Sequence, residues 1–285
     1  FFQAEAGIRD SVASRGLGDV YKRQVLESIK FEHTIFALPF AFLGAFLAGY
    51  GFPGWETSFW IVAAMVGARS AAMAFNRLVD REDDRLNPRT SDRALPRGLL
   101  SPRFVVLFTL VSSLFFVLAT WMLNDLAFQL SPIALVIVLA YSYTKRVTSF
   151  SHLILGLSLA IAPVGGWVAV RGELEIAPFY IATAVLFWVG GFDIIYACQD
   201  YDFDLKLNRY SLPSTWGSKT ALRLSSVFHV IMMVFLIWTF LYFKLSLFSW
   251  IGLALVAVML IYEHSLIKPD DLSQLNAAFF TLNGM

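Results

Sequence analysis

Charged residues are scarce in this chain of 285 residues. They make up 15% of it, against about 25% in ordinary soluble domains, while hydrophobic residues make up 58%. This balance excludes a soluble globule and indicates a membrane protein. The formal net charge is only +1, and no basic stripe with interleaved aromatic residues is present, so nucleic acid is not an expected partner. The single cysteine, Cys198, excludes an intramolecular disulfide and a cysteine-based zinc site.

The first segment, residues 1–24, differs in character from the rest of the chain. Its sequence, FFQAEAGIRDSVASRGLGDVYKRQ, is typical of a translated sequencing adapter, so we expect it to be non-native. It has no apolar core or small-residue cleavage site of the kind found in a signal peptide. Residues 25–285 contain no linker rich in Gly, Ser or Pro, which predicts one transmembrane domain.

Apolar runs of about 17 to 25 residues, the length of a spanning helix, recur along this domain. A ninth run begins at about Asn276 and stops at Met285, so we expect its helix to be truncated. The pattern predicts an all-α, polytopic membrane bundle of nine transmembrane helices. The first eight spans are predicted at 34–51, 58–79, 103–123, 126–144, 151–170, 176–198, 222–243 and 246–263.

Two of these spans end in acidic clusters with helical spacing. Asn76, Asp80 and Asp84 share one helical face, as do Asp200 and Asp204. Carboxylates gathered in this way repel one another and are costly near lipid unless a cation joins them. Mg²⁺ commonly binds through a few carboxylates together with substrate phosphates. The clusters therefore predict a site in which Mg²⁺ holds a diphosphate.

The distribution of basic residues predicts the orientation of the bundle. Loops on the side of the acidic clusters are rich in Arg and Lys, whereas the opposite loops carry only Arg171 and Lys244. Because cytoplasmic loops have an excess of basic residues, we expect both clusters to face the cytoplasm. The basic residues on that side are Arg77, Arg81, Arg85, Arg89, Arg93, Arg97, Arg103, Lys145, Arg146, Lys206, Arg209, Lys219 and Arg223.

Ionisation of an allylic diphosphate would need cations to stabilise the leaving group. Arg69, Lys145 and Arg146 are the candidates for this role. The remaining carbocation must be protected from water, and aromatic ring faces stabilise cations. Candidates for lining that route are Tyr141, Tyr143 and Tyr196, together with the many Phe residues of these spans.

Three motifs together resemble the UbiA superfamily of intramembrane prenyltransferases. The resemblance extends from about Ile29 to the end of the chain, and it is greatest to bacterial 4-hydroxybenzoate polyprenyltransferases. The motifs are Asn76-x₃-Asp80-x₃-Asp84 with Arg69 upstream, Tyr141-x₃-Lys145-Arg146, and Tyr196-x₃-Asp200-x₃-Asp204 with Asp193 upstream.

The resemblance implies a nine-helix bundle around a central cavity in a bacterial inner membrane. It implies Mg²⁺-dependent transfer of a polyprenyl group from polyprenyl diphosphate to the ring of 4-hydroxybenzoate, next to the phenolic hydroxyl, in ubiquinone biosynthesis. The implied catalytic residues are Asp80, Asp84, Asp193, Asp200 and Asp204, and the implied metal ligands are Asn76, Asp80, Asp84, Asp200 and Asp204. The implied substrate-binding residues are Arg69, Asn76, Arg77, Tyr141, Lys145, Arg146 and Tyr196.

The chain departs from the family pattern at two positions. Arg77 stands where many members have Asp, and we expect it to contact phosphate. After the second acidic motif, where Gly is common, the chain has Asn208-Arg209, so the geometry of that turn is not predicted.

Several alternatives remain open from the sequence. Acidic clusters at helix ends are often only solvated boundaries, Arg69 could extend to the membrane surface, and Asp193 could simply bond to a neighbouring helix. Lys145 and Arg146 could merely follow the cytoplasmic charge bias. The acceptor could be a hydroxynaphthoate of menaquinone biosynthesis or, less in keeping with the motifs, homogentisate, haem or a glycerol phosphate. A transporter is the rival of another class, although transporters place charges near the membrane midplane.

Overall fold

All regular structure in the described part of the chain is helical. The computed structural model describes residues 34–267, so the adapter-like segment and the predicted ninth span lie outside the described residues. The helices are α1 (Thr34–Gly49), α2 (Trp55–Val79), α3 (Arg81–Leu86), α4 (Pro102–Leu123), α5 (Asp125–Thr144), α6 (Ser151–Arg171), α7 (Ala177–Ala197), α8 (Tyr201–Lys206), α9 (Leu212–Trp216), α10 (Ser218–Tyr242) and α11 (Leu247–Leu266).

The eight predicted spans correspond to the eight longest helices, with ends that differ by up to four residues. Seven helices are long and apolar enough to cross a membrane, and the apolar part of α1, Ala37–Gly49, is shorter. The segment Ala177–Lys206 counts as one span, because a 3₁₀ turn over Cys198–Asp200 links α7 to α8. The predicted total of nine helices cannot be counted within residues 34–267.

The bundle is held by close helix pairs with small residues at their contacts. The most extensive pairs are α2 with α4, α6 with α7, α7 with α10, and α1 with α6. At the α1–α6 crossing, a Cβ atom on Gly44 would overlap the carbonyl oxygen of Pro163, and one on Gly166 would overlap that of Ala41. Small residues let helix backbones approach in lipid, where dispersion contacts replace the hydrophobic effect as the driving force.

The helix ends on one side of the bundle carry the chemistry-bearing residues. Helices α2 and α7 run toward this side, and each is followed by a short helix, α3 or α8. The loop between α3 and α4 and the segment between α8 and α10 lie over the same end. Side-chain bonds join the first connection to the end of α7, through Arg89 and Asp200, and the second connection to α3, through Arg209 and Asp83.

Candidate functional site

The two acidic clusters line one polar pocket of about 170 Å³ at this end of the bundle. The structure thus brings together two groups of residues that are more than 100 positions apart in the chain. Its lining includes Asn76, Arg77, Asp80, Asp83, Asp84, Arg89, Arg93, Tyr141, Lys145, Arg146, Asp200, Asp204 and Arg209.

The first cluster spans the junction between α2 and α3. Helix α2 ends at Val79, yet the Asp80 amide donates to the Asn76 carbonyl at 2.9 Å and the Asp84 amide donates to the Asp80 carbonyl at 2.7 Å. These four-residue bonds preserve the helical spacing across the junction. The Asn76 side-chain amide also donates to an Asp80 carboxylate oxygen at 2.9 Å. The predicted common face is therefore kept, although two helices form it.

The second cluster lies where α7 passes through the 3₁₀ turn into α8. Asp200 ends the turn, and Asp204, which is 4% exposed, lies in α8. The chain then reverses at Asn208, whose φ of 50° is left-handed. Asparagine tolerates this conformation better than most residues other than glycine. Asn208 therefore supplies the turn for which family members commonly use glycine.

Arginines from the loop after α3 pair with both clusters. Arg93 donates to Asp84 at 2.6 Å, and Arg89 donates to Asp200 at 2.8 Å. Arg89 also donates to the Tyr196 hydroxyl at 2.8 Å. From the sequence, these arginines are predicted only as part of the cytoplasmic charge bias. Their density within one short loop was the available signal for a role at the site.

A second set of contacts joins the loop after α5 to the first cluster. Arg146 donates to the Val79 carbonyl at 2.8 Å and lies 3.5 Å from an Asp80 carboxylate oxygen. It also donates to Asp83 at 3.3 Å, and Asp83 accepts two further bonds from Arg209. Asp83 and Arg209 were not predicted as site residues.

Asp80 and Lys145, which both line the polar pocket, have pKa values that differ from their ordinary values. Burial and the neighbouring Asp84 carboxylate raise the pKa of Asp80 to about 6, although Lys145 and Arg146 oppose the shift. Burial by itself would lower the pKa of Lys145, but Tyr141 and the surrounding carboxylates outweigh it and raise that pKa above its ordinary value. Lys145 is therefore a persistent cation, and a bound divalent cation would stabilise the charged form of Asp80.

The donor set fits a divalent metal with shared ligands. Oδ2 of Asp84 and Oδ2 of Asp204 are buried without a hydrogen-bond partner, and both residues line the polar pocket. Among residues 34–267, however, no three acidic, His or Cys side chains lie close enough together to hold a metal ion by themselves. Mg²⁺ often completes its octahedral shell with substrate phosphates and water. The pocket therefore has the chemistry of a site that a diphosphate would complete.

An apolar cavity of about 380 Å³ adjoins the polar pocket and extends between α1, α2, α4, α5 and α6. Asn76 and Tyr141 line both spaces. Arg69 lines the apolar cavity and is not among the residues of the polar pocket, and its buried Nε has no hydrogen-bond partner. The structure therefore places Arg69 away from the predicted diphosphate clamp of Lys145 and Arg146.

Asp193 and Tyr196 are not among the residues that line either space. Asp193 Oδ2 lies 2.7 Å from Nδ1 of His152, which is fully buried. The Tyr196 hydroxyl accepts the bond from Arg89, and the guanidinium of Arg89 lies 5.4 Å from the Tyr196 ring centroid. Direct contact of these two residues with substrate therefore lacks support from the geometry.

This chain is similar in sequence and in fold to known proteins. A 4-hydroxybenzoate octaprenyltransferase of Vesicomyosocius okutanii subsp. Calyptogena okutanii (strain HA) is 31% identical over 230 residues, which cover 79% of this chain and 82% of that protein. The apo structure of a UbiA homolog from Aeropyrum pernix K1 is 35% identical, with a TM-score of 0.81 over 88% of this chain and 93% of that one.

A more distant structure shares the fold. It is a UbiA homolog from Archaeoglobus fulgidus bound to DMAPP and Mg²⁺, 20% identical, with a TM-score of 0.69 over 92% of this chain and 96% of that one. The family model of the UbiA prenyltransferase family matches residues 37–285. This chain is an integral membrane protein that belongs to the UbiA prenyltransferase family.

Proposed function

We propose that this protein catalyses Mg²⁺-dependent transfer of a polyprenyl group from polyprenyl diphosphate to the ring of 4-hydroxybenzoate. One observation carries the proposal: a polar pocket lined by both acidic clusters and several basic residues adjoins an apolar cavity. A polyprenyl diphosphate has the same division into a charged head and an apolar chain. Asn76 and Tyr141, which line both spaces, mark the position of the bond between head and chain.

Basic side chains of the polar pocket would bind the diphosphate. Lys145 remains protonated there, and Arg77 and Arg146 line the same space. As the allylic carbon–oxygen bond breaks, its electron pair leaves with the diphosphate. Fixed cations close to the diphosphate stabilise the negative charge that develops on it. These residues orient the leaving group and stabilise it without a proton transfer.

The acids would hold Mg²⁺ against the same diphosphate. Asn76, Asp80, Asp84, Asp200 and Asp204 all line the polar pocket. Bound Mg²⁺ would neutralise part of the charge on the leaving diphosphate. The fold shared with the Archaeoglobus fulgidus protein, which binds DMAPP and Mg²⁺, supports this assignment.

The apolar cavity would receive the start of the prenyl chain and the aromatic ring. Its walls exclude water from the allylic cation. Arg69 offers a cation in otherwise largely apolar surroundings, and its unpartnered Nε fits the carboxylate of an aromatic acid. The ring carbon next to the phenolic hydroxyl then bonds to the allylic carbon, and its proton leaves with the diphosphate so that the ring regains aromaticity.

The basic loops support placing the polar pocket at the cytoplasmic face of a bacterial inner membrane. Arg89, Arg93, Arg146 and Arg209 all line this pocket, so the residues that predict orientation also belong to the site. Soluble Mg²⁺ would reach the acids from that side, while the prenyl chain would enter from the bilayer.

A hydroxynaphthoate is the second candidate acceptor. Arg69 would bind the carboxylate of either aromatic acid, so this contact does not separate ubiquinone from menaquinone biosynthesis. The names of the relatives, together with membership of a prenyltransferase family, favour 4-hydroxybenzoate over the hydroxynaphthoate and an enzyme over a transporter.

An acceptor panel tests the proposal. The full chain in membranes is supplied with a polyprenyl diphosphate, Mg²⁺, and either 4-hydroxybenzoate, 1,4-dihydroxy-2-naphthoate or homogentisate. We expect Mg²⁺-dependent pyrophosphate release and a prenylated product with 4-hydroxybenzoate. Product with the naphthoate alone would shift the assignment to menaquinone biosynthesis, and absence of product with every acceptor would contradict aromatic prenyl transfer.

A further inference from the structure

A buried hydrogen-bonded triad lies next to the polar pocket and is not used by the reaction described above. His152, in α6, is fully buried, and its Nδ1 lies 2.7 Å from Asp193 Oδ2 of α7. The backbone N–H of Leu212 donates to the other ring nitrogen, Nε2, at 3.3 Å. Because Nε2 accepts this bond, Nδ1 carries the proton and donates it to the Asp193 carboxylate. The contacts thus define a neutral imidazole in one tautomer.

Leu212 ends a segment that we name the strap, residues 207–212. The strap follows the second acidic cluster and is anchored to the polar pocket by two backbone bonds. The Arg209 amide donates to the Asp204 carbonyl, and the Tyr210 amide donates to the Lys145 carbonyl, both at 2.8 Å. The backbone of the strap therefore links a carboxylate residue of the site to its buried lysine.

His152 supplies a further anchor of the strap. Ser211 caps α9 by accepting a hydrogen bond from the Ser214 amide, and Leu212 is the first residue of that helix. A first helical residue has no acceptor for its N–H within its own helix. For Leu212 the acceptor is His152, which is held in turn by Asp193.

Asp193 connects the triad to the second acidic cluster. It lies seven residues before Asp200, which corresponds to two helical turns. Through His152, the helix that leads into this cluster is bonded to the strap that leaves it. Buried polar groups destabilise a protein unless each donor and acceptor among them has a hydrogen-bond partner. The described triad meets that requirement and specifies a single arrangement.

We propose that His152 is a positioning residue for the polar pocket. By holding Leu212 against α7, it keeps the strap in place, and the strap keeps Asp204 and Lys145 in the arrangement that binds the diphosphate. This inference rests on the proposed function for its kinetic consequence, whereas its structural consequence can be measured without any substrate.

Two substitutions separate the bonds of the imidazole. In His152→Gln, the amide reaches the position of Nε2 and can accept from Leu212. In His152→Asn, the shorter amide occupies the position of Nδ1, so it can donate to Asp193 but does not reach Leu212. We expect amide hydrogen exchange at residues 207–212 to be about fivefold faster in the Asn variant than in the Gln variant, the effect of one lost hydrogen bond.

Kinetics provide the second readout. We expect His152→Asn to raise the KM for polyprenyl diphosphate about fivefold while the KM for 4-hydroxybenzoate changes little, and His152→Gln to remain near the wild-type value. A purely structural role would reduce the fraction of folded enzyme, which lowers kcat without changing either KM. His229→Asn is the matched control, because it removes a buried histidine that bonds to His264 and lines neither space.

A variant on the strap tests the same bond if the His152 variants do not fold. Leu212→Pro removes the N–H at the first helical position, where proline is accommodated. Because the Leu212 side chain is fully buried, Leu212→Ala, which shortens it but keeps the N–H, is the control, and we expect the increase in donor KM only in the proline variant. Equal exchange in the Asn and Gln variants, or an unchanged donor KM in both His152→Asn and Leu212→Pro, would overturn the inference. If exchange is faster in His152→Asn but the wild-type protein transfers no prenyl group, the positioning role of His152 stands and only the proposed function is contradicted.

Discussion

Arg209 and Asp83, which both line the polar pocket, are joined by two hydrogen bonds although they lie 126 residues apart in the chain. Nε of Arg209 donates to Oδ2 at 2.8 Å, and Nη2 donates to Oδ1 at 2.6 Å. Burial by itself would raise the pKa of Asp83, but the bonds and charges of Arg209 and Arg146 lower it below its ordinary value. The pair ties α3, which carries the end of the first acidic cluster, to the strap after the second cluster.

A double-mutant cycle would measure this connection. We expect Asp83→Asn and Arg209→Gln to be coupled by about 1 kcal/mol in the free energy of unfolding, because a bidentate pair stabilises a protein more than a simple surface ion pair does. Unfolding in mixed detergent micelles would provide the measurement. The exposed pair Arg81 and Glu82, 2.7 Å apart, is the control and should show coupling near zero. Equal coupling in the two cycles would contradict a special role for Asp83 and Arg209.

Loss of a cluster carboxylate should abolish activity without unfolding the protein. We expect Asp80→Ala and Asp200→Ala to lower turnover about a thousandfold or more, since a metal contact supplies several kcal/mol to the transition state. Asp80→Ala should keep or slightly raise the melting temperature in the absence of metal, because burial and Asp84 already disfavour its charge.

Neighbouring acids provide matched controls for these variants. Glu82 and Asp202 are exposed and line neither space. We expect Glu82→Ala and Asp202→Ala to retain turnover within about twofold, as surface substitutions away from a site usually change little. If turnover survives in Asp80→Ala or in Asp200→Ala, that residue is not part of the metal site.

Substitution of Arg69 should affect the acceptor and not the donor. We expect Arg69→Gln to raise the KM for 4-hydroxybenzoate between about tenfold and a hundredfold, because a charge-assisted bond to the carboxylate is lost. The KM for polyprenyl diphosphate should change less than about twofold, since Arg69 is outside the polar pocket. A phenol that lacks the carboxylate should lose little further activity in the variant. A larger effect on the donor would instead assign Arg69 to the diphosphate.

Metal and pyrophosphate should bind together. Because the described acids form no complete metal site, we expect Mg²⁺ alone to bind weakly and to strengthen binding of inorganic pyrophosphate at least about tenfold. Calorimetric titrations with pyrophosphate, with and without Mg²⁺, would test this expectation, and Asp200→Ala should remove the difference. Tight binding of Mg²⁺ without pyrophosphate would show that the protein supplies a complete ligand set.

The turn after the second cluster shows where sequence reasoning stopped. The family pattern suggested glycine, and Asn208 left the geometry undetermined until the structure showed φ of 50°. Asp193 and His152 show the same limit. A carboxylate inside an apolar span signals a specific partner, but its partner lies 41 positions away, on another helix, and no local spacing indicates it.

The sequence was sufficient for the properties that depend on local periodicity and composition. The length of the apolar runs located the eight spans that fall within the described residues. Four-residue spacing located the acidic clusters, because each residue of a helix adds a fixed rotation and a fixed rise. Which arginines pair with which acids, the exclusion of Arg69 from the polar pocket and the attachment of the strap to His152 depend on how the helices pack and where their connections cross. Those contacts join residues tens to more than a hundred positions apart, so only the tertiary structure decided them.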